Sequence, residues 1–387
     1  MEGSRGSFRW KIRSLLLVGL LLGCVRAYDP DLTLTADVVV VDGTLTDQPE
    51  RQVVRLSRSR VEFGASGTAP LSGARVEVLV NGTETVVFSE NPTVKGQYEA
   101  PAEFRGRVGN RYRLRFRTAE GTNYESDDEL MPAVPPIARV YDRFDAAGIA
   151  NAEKTRFTPA HLLYLDTQDP ADTRNFYRWQ YTLWEQQGWC ATCDRALYVL
   201  TPNGLSGTCQ RDLSLPLNSS FDYRCRPMCW EIIRGLSINL FADNLSNGRP
   251  ILGRPVGAIA YTQRTGALVE IRQQGLTAEA WRYFRLLEQQ TQNTGGLADT
   301  PPAPLVGNVR NLGKPDELVA GYFAAASVAS VRHWIDRQNA SGRPVGLFEY
   351  LNNRQPNPEP GTDTRPPLAI CVPSETRTPV RPEGWRN

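Results

Sequence analysis

Histidine is nearly absent from this chain, and its scarcity limits the chemistry available to the protein. Among 387 residues only His161 and His333 are histidines. A catalytic triad needs a histidine to activate its nucleophile and an acid to orient that histidine, so few such arrangements are possible here. The motifs H-E-x-x-H and G-x-S-x-G and the phosphate-binding P-loop are also missing. Both histidines are typical of structural residues. We therefore expect no enzymatic activity, no catalytic residue and no cofactor.

Lysine is also rare, and the chain carries little net charge. Of 44 basic residues only Lys11, Lys95, Lys154 and Lys314 are lysines, and 42 acidic residues nearly balance the total. The net charge of +2 lacks the basic excess typical of nucleic-acid-binding proteins, so we expect no nucleic-acid partner. The preference for arginine suits bidentate recognition of anions, and a GC-rich genome explains it as well.

Long apolar runs are missing, with one short exception near the start. Residues 15–23 are apolar and follow a basic segment, but they are too few to cross a hydrocarbon core, which needs roughly 20 residues. This pattern predicts an export signal. The segment 21–24, Leu-Leu-Gly-Cys, resembles a bacterial lipobox. An uncleaved anchor and an ordinary signal peptide with an incidental cysteine are the alternatives.

The lipobox reading divides the start of the chain. We predict that residues 1–23 are a lipoprotein signal peptide, that Cys24 carries lipid, and that residues 24–36 tether the body to a membrane. Residue 25 is Val, so the usual Asp signal for inner-membrane retention is absent and we expect the outer membrane. The acids Asp29 and Asp31 resemble signals of surface-displayed lipoproteins, which leaves open the periplasmic face or the cell surface.

Alternating apolar and polar residues predict a mostly β protein. Residues 74–80 lead into Asn81-Gly82, the strongest short signal for a hairpin. Residues 111–117 alternate so strictly that aromatic and aliphatic side chains form one face and arginines the other. We expect residues 37–132 to form an Ig-like β-sandwich, and three of its segments, 73–78, 96–98 and 112–116, resemble transthyretin-like domains.

A Pro-rich linker at residues 131–136 separates this region from a second β-rich domain, which we place at residues 137–387. Its candidate strands are residues 137–141, 162–165 and 176–184. A helix near residues 278–292 is predicted because Thr277 can cap it and apolar residues recur at helical spacing. Residues 318–326 fit strand or helix equally well by composition. Residues 355–381 read as a Pro-rich loop.

Six further cysteines, an even number, follow Cys24 in this exported chain. Three disulfides are the expected outcome in an oxidising compartment, although six cysteines allow 15 pairings. A zinc site is the alternative, because Cys190-x-x-Cys193 and the Cys225 and Cys229 pair have suitable spacing; we expect no metal. A redox pair of the thioredoxin type lacks its βαβ context. The candidates are Cys190, Cys193, Cys209, Cys225, Cys229 and Cys371.

Charged clusters offer weaker hypotheses. Residues 166, 169 and 172 are aspartates but lack the glycine turn and distal glutamate of an EF-hand loop, so a solvated turn is favoured over Ca²⁺. Four arginines at 111, 113, 115 and 117 share a strand face. These arginines can bind anions, or cross-strand acids can neutralise them. The nearby candidates for such acids are Asp127, Asp128 and Glu129.

Aromatic residues cluster along the cysteine-rich interval. If there is a ligand site, we expect it between the domains or around the disulfide-bonded loops, with Trp189, Tyr223 and Trp230 as contact candidates. The alternative is that these aromatic side chains belong to the core.

Several separated segments together resemble a Bacteroidetes lipoprotein family classed as domain of unknown function 4249. Their order is specific, although no single segment is. Cys371 departs from the pattern, because the family often has a second cysteine three residues later where this chain has Ser374. Cys371 must then pair elsewhere or stay free. The segments are 28–30, 40–43, 70–76, 176–179, 229–230, 295–297, 307–309, 321–323 and 382–385.

The resemblance implies an outer-membrane lipoprotein of a kind commonly encoded near TonB-dependent receptors, with no established enzymatic activity. We therefore expect an accessory protein that captures a ligand for a TonB-dependent outer-membrane receptor or forms a lid over it. The alternative is a structural or assembly factor of the outer membrane without a small ligand. A weaker hypothesis is an envelope hydrolase that uses carboxylates alone, such as Glu270 or Asp336.

Overall fold

The computed structural model describes residues 38–62, 65–291, 305–361 and 367–386. The predicted signal peptide, Cys24 and the tether lie outside these residues. So do the glycines at 295 and 296, which belong to one of the family-like segments.

The described chain is built almost entirely from β-strands, as the alternation predicts. Two helices follow late in the sequence, α1 (Ala278–Thr291) and α2 (Leu347–Asn352). The strands in chain order are β1 (Val39–Thr46), β2 (Val53–Glu62), β3 (Ala65–Pro70), β4 (Arg75–Val80), β5 (Glu84–Glu90), β6 (Gln97–Glu99), β7 (Arg111–Arg117), β8 (Asn123–Ser126), β9 (Glu129–Leu130), β10 (Ile137–Ala150), β11 (Phe157–Gln168), β12 (Phe176–Asp194), β13 (Ala196–Leu200), β14 (Gly207–Arg211), β15 (Ser220–Arg234), β16 (Asn239–Ala242), β17 (Pro250–Ala260), β18 (Ala267–Leu276), β19 (Val309–Asn311), β20 (Val319–Ile335), β21 (Leu368–Ile370) and β22 (Arg377–Thr378).

An N-terminal sandwich is formed by two sheets that close on one apolar core. One sheet runs β3-β2-β1-β20, and the other runs β5-β4-β7-β8-β19. The inner faces supply alternate residues, such as Val41 and Leu56 from the first sheet and Val78 and Leu114 from the second, all at most 1% exposed. Alternate burial of this kind is the reason that the two-residue period predicted strands.

The predicted hairpin and the arginine-faced strand are both present. β4 and β5 pair antiparallel across Asn81-Gly82, and these two turn residues have φ values of 51° and 76°. Glycine and asparagine tolerate this left-handed region best. In β7, Tyr112, Leu114 and Phe116 are buried while the arginines between them face outward.

Strand β20 belongs to two sheets. Its first half, from Val319, runs parallel to β1, and its second half, to Ile335, runs antiparallel to β18. The composition of residues 318–326 is compatible with a strand or a helix. The structure shows a strand, because these residues pair with β1. At the pairing with β1, Gly321 has a φ of 87°, and a Cβ there would lie 1.9 Å from the carbonyl oxygen of Val41. Only glycine permits this approach.

A second sandwich is formed by the remaining long strands. Its larger sheet runs β15-β12-β18-β20, with β16 beside the start of β12, and its smaller sheet runs β10-β11-β17. The core between the sheets includes Leu163 and Leu165 from β11, Trp179 from β12 and Ile271 from β18. Residues 355–381, predicted to be loop, add the short strands β21 and β22 to the edge of β15.

The predicted helix is confirmed as α1, which lies against the larger sheet. The Thr277 side chain caps it, because its Oγ1 accepts a hydrogen bond of 3.1 Å from the backbone N–H of Ala280. Ala280 and Phe284 are buried, and they pack with Tyr322 of β20.

The two sandwiches are not consecutive in the chain. The sequence predicts one domain at residues 37–132 and another at residues 137–387. In the structure, however, β19 pairs with β8 and the first half of β20 pairs with β1. Asn308, just before β19, reinforces this connection: its side chain donates to the carbonyl oxygen of Phe323 and accepts from the N–H of the same residue. The N-terminal sandwich therefore includes strands from the C-terminal part of the sequence.

A buried carboxyl group lies where the N-terminal sandwich meets α1 and β20. Glu129 is 2% exposed. It accepts hydrogen bonds from Tyr322 Oη at 2.5 Å, Thr277 Oγ1 at 2.9 Å and Asn308 Nδ2 at 3.2 Å. Burial raises the pKa of Glu129 to about 7, and the three donors oppose that shift only in part. The joint between the sandwiches therefore contains a group that titrates near neutral pH.

We predict that Glu129→Gln removes a pH dependence of stability. The folded state keeps a proton that the unfolded state releases near pH 4.5, so the free energy of unfolding falls as pH rises from 4.5 through about 7. A shift of this size corresponds to roughly 3 kcal/mol. Chemical denaturation at several pH values should show that fall in the native protein and a flatter profile in the variant.

The matched control is Glu103→Gln, since Glu103 is an exposed carboxylate of the same sandwich. Its profile should follow the native one. Equal slopes for the native protein and Glu129→Gln would contradict the prediction.

Candidate functional site

Disulfides hold one end of the second sandwich together. The structure joins Cys190 to Cys225, Cys193 to Cys209 and Cys229 to Cys371, with Cα–Cα distances of 4.8, 5.5 and 5.7 Å. All six cysteines beyond Cys24 are therefore bonded, and none is a free thiolate for zinc. Cys371, which lacks the local partner common in the family, bonds across a sequence separation of 142 residues. This bond attaches the C-terminal segment to β15.

A cleft opens beside the first of these disulfides, with a cavity volume of about 320 Å³. Strand β12 forms one side, where its pairing with β15 shifts register between Gln187 and Ala191. Such bulges redirect side chains. Helix α2 forms the opposite side. The lining residues are Gln187, Trp189, Cys190, Ala191, Thr192, Glu231, Phe348, Leu351, Asn352 and Arg377.

The polar part of the cleft is a fixed hydrogen-bond network. Glu231 Oε2 accepts a hydrogen bond of 3.0 Å from Gln187 Nε2 and one of 3.1 Å from Arg377 Nε. Arg377 also donates to the carbonyl oxygen of Cys190 at 2.9 Å, and Gln187 accepts from the N–H of Trp189. Each group is therefore held by a second contact, which gives the cleft a preformed polar surface.

The apolar part of the cleft is an aromatic pair. Trp189 meets Phe348 edge to face with ring centroids 6.1 Å apart. Arg224 lies over the Trp189 ring and Arg354 over the Phe348 ring, at 4.7 and 4.8 Å. The edge-to-face geometry and the cations over the rings both restrain the aromatic side chains.

A half-buried ion pair supports this wall: the Asp222 side chain is fully buried, and the Arg354 side chain is 39% exposed. Both guanidinium ends of Arg354 donate to the Asp222 carboxylate, at 2.7 and 2.8 Å. Burial opposes ionisation of Asp222, but hydrogen bonds from Arg354, Asn357 and Thr192 outweigh it and lower its pKa. Helix α2 is further attached where Gly346 donates its N–H to a backbone carbonyl of the loop after β17.

Only one of the three aromatic residues predicted to contact a ligand lines the cleft. Trp189 does so. Tyr223 is fully buried beside Tyr198, and Trp230 is 3% exposed with its ring against Trp385. The alternative that aromatic residues here belong to the core holds for these two side chains.

Most of the cleft was not predicted from sequence. The residues of α2 carry no recognisable motif. Arg377 lies within residues 355–381, for which the sequence predicts only a Pro-rich loop. One signal was available: a cysteine at 371 without a neighbouring partner implies that this segment returns to the earlier cysteine-rich interval. Phe348, Leu351 and Asn352 carried no comparable signal.

The two histidines converge on one carboxylate. Asp142 accepts from His161 Nδ1 at 2.7 Å and lies 2.6 Å from His333 Nε2, so it connects the smaller sheet of the second sandwich to β20. Burial alone would raise the pKa of Asp142, but the two hydrogen bonds and the charges of the histidines outweigh it and hold that pKa well below its usual range. The arrangement clamps two sheets together.

The acidic and arginine clusters are mainly structural. Asp169 accepts the backbone N–H of Gly248, just before β17, and Asp166 accepts that of Gly253 within β17, while Asp172 is exposed. The arginine-faced strand is partly balanced by acids: Arg113 pairs with Asp128 and Glu125, and Arg115 pairs with Glu125.

The remaining predicted acids are dispersed. Asp127 pairs with Arg310, and Glu129 is the buried group described above. Glu270 faces Arg332 across the β18–β20 ladder, and Asp336 is exposed just after β20. Within the described ranges, the one close group of metal-ligating atoms consists of disulfide sulfurs.

These features define a class: a mostly β, disulfide-bonded protein of two interlocked sandwiches with a preformed cleft at one end. No helix within the described ranges is both long and apolar enough to span a bilayer.

The family model of a domain of unknown function, DUF4249, matches residues 25–332. The match covers most of the chain, so the protein belongs to this family, as the ordered segments predicted. No curated protein and no solved structure matches it.

We predict that Asp142→Asn weakens the clamp and changes the response to acid. Asp142 contributes stability above pH 4, near its unfolded pKa, and that contribution is lost as pH falls toward its depressed folded pKa. At pH 7 the free energy of unfolding of the variant should be about 2 kcal/mol below that of the native protein, as expected for hydrogen bonds to a charged group. Between pH 7 and pH 2 that free energy should fall less in the variant than in the native protein. Urea denaturation at both pH values measures this.

Asp172→Asn is the control, because that carboxyl group is exposed. Asp142→Asn matching this control at pH 7 would show that the clamp contributes nothing measurable.

Proposed function

We propose that this protein is a non-enzymatic cell-envelope lipoprotein that captures a ligand for, or covers, a TonB-dependent outer-membrane receptor. The observation that carries the proposal is the cleft beside Trp189, whose polar and aromatic walls are held by disulfides, an ion pair and shared hydrogen bonds. A preformed concave surface with few convergent polar groups is typical of small-ligand sites.

Anchoring supports the receptor part of the proposal. The lipobox-like segment ending at Cys24 would attach the chain to a membrane, where a tethered protein meets other membrane proteins at high effective concentration. Genes of the DUF4249 family, which this chain resembles, commonly lie near genes for TonB-dependent receptors, and this favours such a receptor as the partner.

The receptor partnership can be tested in native membranes. We expect gentle detergent extraction of the lipidated protein to retrieve a TonB-dependent receptor in a fixed ratio, identified by mass spectrometry. Cys24→Ser should leave the membrane fraction because it lacks the acyl chains. A native protein that purifies as a monomer, free of receptor, would argue for a structural or assembly role instead.

Ligand capture can be tested through the cleft itself. Oligosaccharide and oligopeptide fractions of a growth medium serve as probes, because a ligand that binds only the folded state raises the unfolding temperature, and the stabilisation grows with the logarithm of its concentration above the dissociation constant. At 100 times the dissociation constant the expected stabilisation is about 2.7 kcal/mol. Leu351→Trp should abolish the shift, since the exposed Leu351 side chain lines the cleft and a larger indole there obstructs it.

The matched control for obstructing the cleft is Leu286→Trp, at an exposed leucine of α1 outside the cleft. It should keep the native temperature shift. A shift that survives Leu351→Trp would place the ligand elsewhere, and the absence of any shift across both fractions would remove the support for ligand capture.

A further inference from the structure

Two disulfides meet at the cleft. The Sγ atoms of Cys190, Cys229 and Cys371 all lie within 4.8 Å of one another. Cys229 and Cys371 are bonded to each other, whereas Cys190 is bonded to Cys225, whose sulfur is not in this group. The sulfur of Cys190 therefore lies close to both atoms of a bond to which it does not belong.

The two bonds differ in access. Cys229 is fully buried and Cys371 is 3% exposed, so a thiol from solvent cannot approach their bond directly. Cys225 is partly exposed, and Cys190, whose sulfur lies within the buried group, borders the cleft. Thiolate attack on a disulfide requires access to a sulfur atom. The outer bond is therefore approached from solvent at Cys225, and the inner bond is approached from Cys190.

We propose that these disulfides form a thiol–disulfide exchange relay, with the outer Cys190–Cys225 bond as its entry point and a small thiol as co-reactant. The incoming thiolate bonds to Cys225 Sγ, and Cys190 leaves as a thiolate. Cys190 Sγ then attacks the inner bond, forming a disulfide with Cys371 or Cys229 and releasing the other as a thiolate. Each step forms one S–S bond and breaks one, so the oxidation level is unchanged.

The relay makes the cleft a site for modification by thiols. A ligand or partner that covers the cleft would shield the entry point, and a thiol that reacts there would change how the C-terminal segment is attached to β15. This inference does not depend on ligand capture or on a receptor.

The native full-length protein provides the first test. It is treated with limiting glutathione and quenched with iodoacetamide, and its cysteine-containing peptides are mapped by mass spectrometry. We expect glutathione on Cys225, with most of the alkylation on Cys229 or Cys371 and with Cys190 in a new disulfide. Simple opening of the outer bond would instead leave Cys190 alkylated and the inner bond intact.

A pair of variants provides the second test, because both delete the same outer bond. Cys225→Ser leaves Cys190 as the free thiol within the sulfur group, and most of it should be recovered in a disulfide with Cys229 or Cys371. Cys190→Ser leaves Cys225 free, outside the group, and that thiol should be alkylated while the inner bond survives.

Three results would overturn the relay. One is an intact inner bond beside alkylated Cys190 in Cys225→Ser. Another is equal exchange in both variants, which would reflect loss of structure and not proximity. The third is exchange that involves Cys193 or Cys209, whose bond lies outside the group. If Cys225→Ser does not fold, as judged by circular dichroism, the glutathione experiment on the native protein decides alone.

Discussion

The architecture depends on the pairing of one strand with two sheets. β20 lies parallel to β1 over eight residue pairs and then antiparallel to β18 over nine, so the same backbone completes both sandwiches. Parallel pairing of segments this distant in sequence has a large loop-closure entropy. Local contacts offset this entropy. They are the close approach of Gly321 to β1 and the two hydrogen bonds between the Asn308 side chain and the Phe323 backbone. Neither sandwich can close its core without this strand.

At the far end of the second sandwich, covalent bonds supplement a strand pairing that is interrupted by register shifts. The interval between β12 and β15 contains loops and short strands whose apolar cluster is small. A small core stabilises little by burial alone, so disulfides are the usual supplement. Here they also bring the C-terminal segment and α2 to face Trp189. The cleft is therefore a consequence of how this end is held together, and its polar groups are satisfied by one another before any ligand arrives.

Local patterns predicted local structure well. The alternation in β7, the Asn81-Gly82 hairpin and the capped helix α1 all formed as expected, because each is decided by neighbours within a few residues. The site was predicted only in part. Trp189 was identified through its place among the cysteines, but the side chains opposite it come from α2 and β22, more than 150 residues later in the chain. Their arrival depends on one of 15 disulfide pairings.

By itself, the sequence determined that the protein is mostly β, that it belongs to the DUF4249 family and that six cysteines, an even number, follow Cys24. These are properties of composition, period and order. Only the tertiary structure decided that β20 serves two sandwiches, that both histidines meet at Asp142 and that three cysteine sulfurs from two bonds converge beside a cleft. Such contacts join residues far apart in sequence, and no local period or propensity encodes which distant partners will meet.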